Sequence, residues 1–281
     1  MSAVSYLPRY LARLGLSEPP PPTLASLAHL QRQHVLTFPF ENLCLHVPTL
    51  RAPITLDEPA LAAKIVAGSP GRGGYCFELN TLFARLLARL GFRVTTGAAR
   101  VVEREQPADG DLLRLQPLTH MVLFVDLDEG RYLVDVGFGP RGPLAPLPLR
   151  HLATVTDADP VRHRVRRGDA GSRSIVLPGE GWYLQVCLPS GSWEELYFFT
   201  EARYFSADYE ALNYYTSTSP DCFATRYAIW CRPLAEGGRL ELRGRHFRRY
   251  AADESITDEV EIGELDDMRA ILEQRCGVEL R

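Results

Sequence analysis

The chain has 281 residues, of which 46% are apolar and 23% charged, and a formal net charge of −4. That length supports one large domain or two to three smaller ones, with enough apolar residues for a proper core. The mild acidity argues against a nucleic-acid binder, which usually carries a basic excess, and no stretch approaches the roughly 18 apolar residues of a membrane span.

The N-terminal "MSAVSYLPRYLARLGL" has no charged leader followed by an apolar run, so a signal peptide is not expected. A cytoplasmic protein is the expectation, with its six cysteines (44, 76, 187, 222, 231 and 276) reduced. The basic residues are almost all arginine, with Lys64 the sole lysine.

Taken in chain order, residues 1–95 read mostly as helix. "SYLPRYLARLGL" and "TLASLAHLQRQHVLTF" have apolar residues at helical spacing and are separated by the prolines 19–22. "EPALAAKIVAG" is a further short helix. In "ELNTLFARLLARLGF", Leu79, Leu82, Phe83, Leu86, Leu87 and Leu90 make one apolar stripe, and Gly91 follows as a stop. From 96 to 200 the pattern turns to strands: "FRVTTGAARVV" (which begins slightly earlier), "HMVLFVDL", "RYLVDVGF", "SIVLP", "WYLQVCL" and "EELYFF" suggest a barrel or sandwich. Residues 103–116, "EREQPADGDLLRLQ", read as a polar loop within it. Residues 201–281 open with a helix near "EARYFSADYEALN". They continue as strands "YAIWCRP", "RLELRG" and "HFRRYAA" and end in a helix at "IGELDDMRAILEQRCG".

The chemistry centres on "GRGGYCFELN", residues 71–80. Cys76 stands at the start of the strongest helix. A thiolate there would meet unpaired N–H groups and the positive end of the helix dipole. Gly73 and Gly74 allow a tight turn and leave room for a substrate. The bland alternative is a small buried thiol.

"THMVLFVDLDEGRYLVDVGFG" (119–139) reads as a hairpin turning at Asp128-Glu129-Gly130. If opposed residues sum to an odd number between about 255 and 257, His120 and Asp135 share a face. An even sum puts them on opposite faces. A carboxylate beside a histidine fixes its tautomer and stabilises the imidazolium. Asp135 within an apolar run requires a partner if it is buried. No metal site is expected, because no ligand set is clustered, and no phosphate-cradling or dinucleotide-binding glycine motif is present.

"FPFENL" (38–43), "RGGYCFELN" (72–80), "TH" (119–120), "DVGFG" (135–139) and "NYYTSTSPDCF" (213–223), in this order, resemble the arylamine N-acetyltransferases. The resemblance implies an α+β fold with a helical bundle (1–95), a β-barrel (96–200) and an α/β lid (201–281), built around a cysteine-protease-like core. It implies a catalytic triad of Cys76, His120 and Asp135. Gly137, Phe138, Gly139, Thr218 and Ser219 would contact the cofactor; Phe40, Tyr75 and Phe138 would line the substrate pocket. Arg72 and Glu41 would support the loop as a bidentate pair. The implied reaction is ping-pong acetyl transfer from acetyl-CoA to small aromatic amines and hydrazines, or to the oxygen of N-hydroxyarylamines. No metal, nucleic acid or membrane takes part, and the protein would be a monomer or homodimer. The readings left open are an amide synthase of the same superfold using a polyketide or other acyl thioester, a Cys-His-Asp hydrolase, and a non-catalytic protein.

Overall fold

The computed structural model describes residues 6–105, 112–158, 161–169 and 180–280. Helices α1 (Leu7–Arg13) and α2 (Leu24–Thr37) flank the proline break. The Thr23 hydroxyl accepts from the Ser26 N–H at 3.3 Å and caps α2. A two-residue strand, β1 (Phe40–Glu41), and the single turn α3 (Leu43–His46) follow. Helix α4 (Glu58–Leu61) runs on into a π-helical turn, Ala62–Val66. Helix α5 (Cys76–Arg89) buries the predicted stripe: Leu79, Leu82, Phe83, Leu86 and Leu87 have no exposed surface.

α2 turns His34 into this core. Its ring lies 4.9 Å from those of Phe38 and Phe83, and both ring nitrogens are buried without a hydrogen-bond partner. Burial, aided by the Arg13 charge, pushes its pKa down to about 3. The unfolded chain, with an ordinary histidine near 6.5, therefore binds the extra proton first as pH falls. Stability is complete above about 6.5 and declines between there and about 3, by up to ~5 kcal/mol from this group. Urea unfolding at pH 7 and pH 4.5 is expected to show a smaller acid loss in His34→Leu than in the wild type. An unchanged difference would contradict this account.

The chain then forms β2 (Arg93–Glu105), β3 (Leu112–Leu127), β4 (Gly130–Val134), β5 (Leu147–Pro148), β6 (Thr154–Ala158), β7 (Val161–Asp169), β8 (Glu180–Cys187) and β9 (Trp193–Phe199). These make one antiparallel sheet in the order β5-β4-β3-β2-β9-β8-β7-β6. Its two edge strands are consecutive in sequence. The turn joining them bonds back to β7, from Leu152 N to Val165 O and from Val165 N to Ala153 O, so the sheet curls into a nearly closed barrel.

The segment 103–116 departs from the expected polar loop. β2 runs to Glu105 and β3 starts at Leu112, because backbone pairing extends the hairpin through side chains that carry no strand signal of their own. The expected strand "SIVLP" lies outside the described residues. β7, "VRHRVRRGD", went unpredicted; its run of arginines masks the inward Val165.

The C-terminal part contains α6 (Ser206–Thr218), α7 (Phe223–Arg226), β10 (Ile229–Pro233), β11 (Arg239–Arg243), β12 (His246–Tyr250), β13 (Ile256–Glu261) and α8 (Leu265–Gln274). Its sheet has the order β1-β10-β11-β12-β13, so β1 from the helical region completes it. Trp230 Nε1 donates to Gly71 O at 2.8 Å, and Gly71 N donates to Gly277 O at 2.9 Å. The loop before Cys76 is thereby anchored to the C-terminal sheet.

Candidate active site

Cys76 is the first residue of α5 and is 2% exposed. The loop before it is held on both sides. Gly74 N donates to Pro39 O at 3.3 Å and Glu41 N to Gly74 O at 2.9 Å, which lays the loop along β1. A Cβ on Gly73 would stand 1.8 Å from Pro39 O, so only glycine permits this approach. Tyr75 N donates to Glu78 Oε2 at 3.1 Å, satisfying one of the free N–H groups at the helix start.

The sulfur faces the backbone of β3. Cys76 Sγ donates to Thr119 O at 3.4 Å, and the N–H groups of Met121 and Phe77 are directed at the sulfur. Burial, with a smaller push from the Asp135 charge, drives the thiol pKa well above its ordinary value, while these two N–H groups pull it down. The helix start is therefore insufficient to ionise the thiol; a cationic neighbour is needed to pair with the anion.

The hairpin register has the odd sum: Leu123 opposes Val134 and Phe124 opposes Leu133, each summing to 257. His120 and Asp135 are thus diagonal neighbours on one face. His120 Nε2 donates to Asp135 Oδ2 at 2.8 Å, with both side chains buried. Three more donors reach the carboxylate: the Tyr197 hydroxyl at 3.0 Å, Asn80 Nδ2 at 3.0 Å and Gly137 N at 2.9 Å. Burial raises the Asp135 pKa, but the His120 charge and these hydrogen bonds outweigh it and hold the pKa below the usual value. Tyr197 is pushed well above its usual range by burial and by Asp135, so it remains a donor.

Tyr197 carries no motif that singles it out. Asn80 closes the RGGYCFELN motif, one helical turn after Cys76 on the same face of α5, but no role for it was expected from the sequence. Asn80 Nδ2 also donates to Met121 O at 2.7 Å, and its Oδ1 accepts from Val136 N at 3.1 Å. It clamps α5 to both hairpin strands. A Cβ on Gly137 would come within 2.8 Å of Asn80 Nδ2 and of Cys76 Cα, so the close approach at this glycine is to the chain's own nucleophile loop.

The remaining predicted residues separate. The half-buried Phe138 packs its ring 5.3 Å from His120 and 5.1 Å from Tyr197. Phe40 is 7% exposed and lies against Gly139. Tyr75 is fully buried, with its hydroxyl on Asn213 Oδ1. Arg72 Nε donates to Glu41 Oε1 at 3.1 Å, but its Nη2 goes to Cys44 Sγ at 3.2 Å, so the expected bidentate pair is a single contact.

Thr218 is exposed, donates to Tyr214 O at 2.6 Å, and lines a cleft of about 930 Å³ with Met121, Asn213 and Ser217. Ser219 follows at the end of α6, half-buried, with its hydroxyl accepting from Asp221 N at 3.3 Å. The loop after Gly139 borders a different, smaller cavity of about 130 Å³, lined by Pro140, Arg141, Gly142, Arg162 and Arg239. Of the residues expected to contact the cofactor, Thr218 lines the larger cleft, while Gly137, Phe138 and Gly139 precede the Pro140 edge of the smaller one. Among the described residues, no group of three His, Cys, Asp or Glu side chains could hold a metal ion, and no helix is long and apolar enough to cross a membrane.

A family profile described as N-acetyltransferase matches residues 23–281. The arylamine N-acetyltransferase / N-hydroxyarylamine O-acetyltransferase of Salmonella typhimurium is 32% identical over 98% of this chain and 89% of its own length. The N-malonyltransferase FDB2 of Fusarium pseudograminearum is 33% identical over 79% of this chain and 67% of its own. Among solved structures, the Salmonella typhimurium arylamine N-acetyltransferase superposes with a TM-score of 0.81 at 30% identity, covering 98% of this chain and 92% of that one. The Mycobacterium marinum enzyme in complex with CoA gives 0.78 at 29% identity, covering 97% and 92%. The chain belongs to the arylamine N-acetyltransferase family and is an acyltransferase of that family.

Proposed function

We propose that the protein transfers an acetyl group from acetyl-CoA to small arylamines and arylhydrazines, through an acyl-cysteine on Cys76. The observation that carries this reading is the 2.8 Å contact between His120 and Asp135 on the strand whose backbone faces the Cys76 sulfur. Asp135 fixes the tautomer with the proton on Nε2, which leaves Nδ1 as the basic nitrogen.

In the first half-reaction His120 takes the thiol proton and the Cys76 sulfur attacks the thioester carbonyl. The carbon–sulfur bond to CoA breaks, and the CoA sulfur leaves with the proton from His120. In the second, the amine attacks the acyl-cysteine, His120 takes a proton from nitrogen, and the Cys76 thiol is restored. The N–H groups of Met121 and Phe77 stabilise the anionic sulfur.

The chain's surfaces suit an acyl-CoA. The 930 Å³ cleft along α6 is roomy enough for an extended arm. The cavity beyond Phe138 has Arg162, which stacks on Trp193 and donates to Cys187 Sγ. A guanidinium so placed suits a phosphate.

The test is to incubate the protein with acetyl-, propionyl- and malonyl-CoA separately, the last because of the N-malonyltransferase relative. Intact mass and peptide mapping then locate the acyl group. Acetyl on Cys76 that passes to 4-aminosalicylate or isoniazid supports the reading. Acylation only by malonyl-CoA would move the donor, and no acylation of a folded, alkylatable Cys76 would favour a carrier-protein thioester and an amide synthase.

A further inference from the structure

The chain's one lysine is buried beneath the nucleophile loop, where no step of the proposed reaction uses it. Lys64 Nζ lies 2.8 and 2.9 Å from the two Glu78 carboxylate oxygens and 3.7 Å from Glu41 Oε1. Its side chain is 16% exposed, against 2% for Glu78 and 0% for Glu41. We infer that Lys64 is a positioning residue for Cys76, acting through these two carboxylates. The inference rests on the reading of Cys76 as the nucleophile.

Each carboxylate holds one end of the segment that delivers the sulfur. Glu41 Oε1 accepts from Gly73 N at 3.3 Å and its Oε2 from Leu43 N at 2.8 Å. Glu78 Oε2 accepts from Tyr75 N at 3.1 Å. Gly74 between them is held by β1, so every N–H from Gly73 to Tyr75 is engaged. Of the two carboxylates, Arg72 pairs with Glu41. Lys64 is the cation, among the described residues, that joins the two carboxylates and so couples the two ends of the loop. The cluster balances: Lys64 and Arg72 against Glu41 and Glu78.

The local structure explains how a lysine comes to be there. The π-helical turn Ala62–Val66 inserts an extra residue into the helical winding after α4. Ala62, Ile65 and Val66 pack into the core while Lys64 enters the charged cluster under α5. The amine is stabilised as a cation, because the Glu41 and Glu78 charges outweigh its burial. Glu78, by contrast, is held above the usual carboxylate range by burial, with Lys64 opposing that rise. Without Lys64, Glu78 would protonate more readily and lose the cation that orients it against Tyr75 N.

The experiment measures the iodoacetamide alkylation rate of Cys76 from pH 5 to 9, with thermal melting on the same samples. Lys64→Met is expected to slow alkylation at least tenfold and to move its profile to higher pH while the sample is fully folded. Lys64→Arg, which retains the cation, should recover most of the rate. Should Lys64→Met not fold, the charge-balanced pair Lys64→Met with Glu78→Gln removes the buried orphan carboxylate, and it should still alkylate at least tenfold slowly.

A folded Lys64→Met, or the folded pair, with the wild-type rate and profile would overturn the inference and leave the proposed function untouched. Wild-type Cys76 reacting no faster than Cys44 would remove both.

Discussion

Replacing Asp135 with asparagine is expected to reduce acyl transfer about a thousand- to ten-thousandfold, with the fold retained. The carboxylate accepts four hydrogen bonds, from His120, Tyr197, Asn80 and Gly137. Oδ1 takes Asn80 and Gly137, and an amide oxygen can keep both. The other position becomes an NH₂ group facing His120 Nε2 and the Tyr197 hydroxyl, which are both donors now. The imidazole answers by moving its proton to Nδ1, the nitrogen that must be basic. A triad with its histidine in the wrong tautomer loses about 10⁴ in rate.

The measurement is single-turnover acetylation of Cys76 with thermal melting alongside. A loss below tenfold in a folded sample would mean that Asp135 is not orienting the base. A collapse of the fold instead would assign the cluster a mainly structural part.

The largest effect on stability is expected at Arg72. Glu41 has no exposed surface, and its ionised form is held below the usual carboxylate range. Burial opposes that ionisation; Lys64, Arg72 and the Leu43 N–H outweigh it. Arg72→Ala removes the closer of its two cations and also leaves Cys44 Sγ without its donor. Breaking a buried pair by deleting one partner costs about 3–5 kcal/mol. In a protein of this size that lowers Tm on the order of 10 °C. Activity below the melting transition should fall less than in Asp135→Asn. Wild-type melting with lost turnover would contradict a supporting role.

Much of the fold was legible because its signals are local. The α5 stripe from Leu79 to Leu90 is a 3.6-residue period that one helix face must bury, and all of it is buried. The turn at Asp128–Glu129 limited the hairpin to a few registers, yet its parity could not be read from 119–139 alone. The odd sum of 257 is decided by which face the barrel interior and α5 can cover. β7 was hidden because Arg162, Arg164 and Arg166 dominate its composition, while burial rests on the alternating His163 and Val165. The polar stretch 103–116 was misread for the related reason that ladder pairing is made by backbone atoms.

The sequence by itself determined where the Cys76, His120 and Asp135 motifs stand, their order and the helix that begins at Cys76, since motif and period both act within a few residues. Tertiary structure alone decided what those residues touch. Tyr197 reaches Asp135 across 62 residues, Asn80 across 55, and Lys64 reaches Glu41 from the π-helical turn after α4. Such partners are selected by burial: a carboxylate taken out of water must find every donor that its surroundings provide, and chain separation plays no part in that requirement.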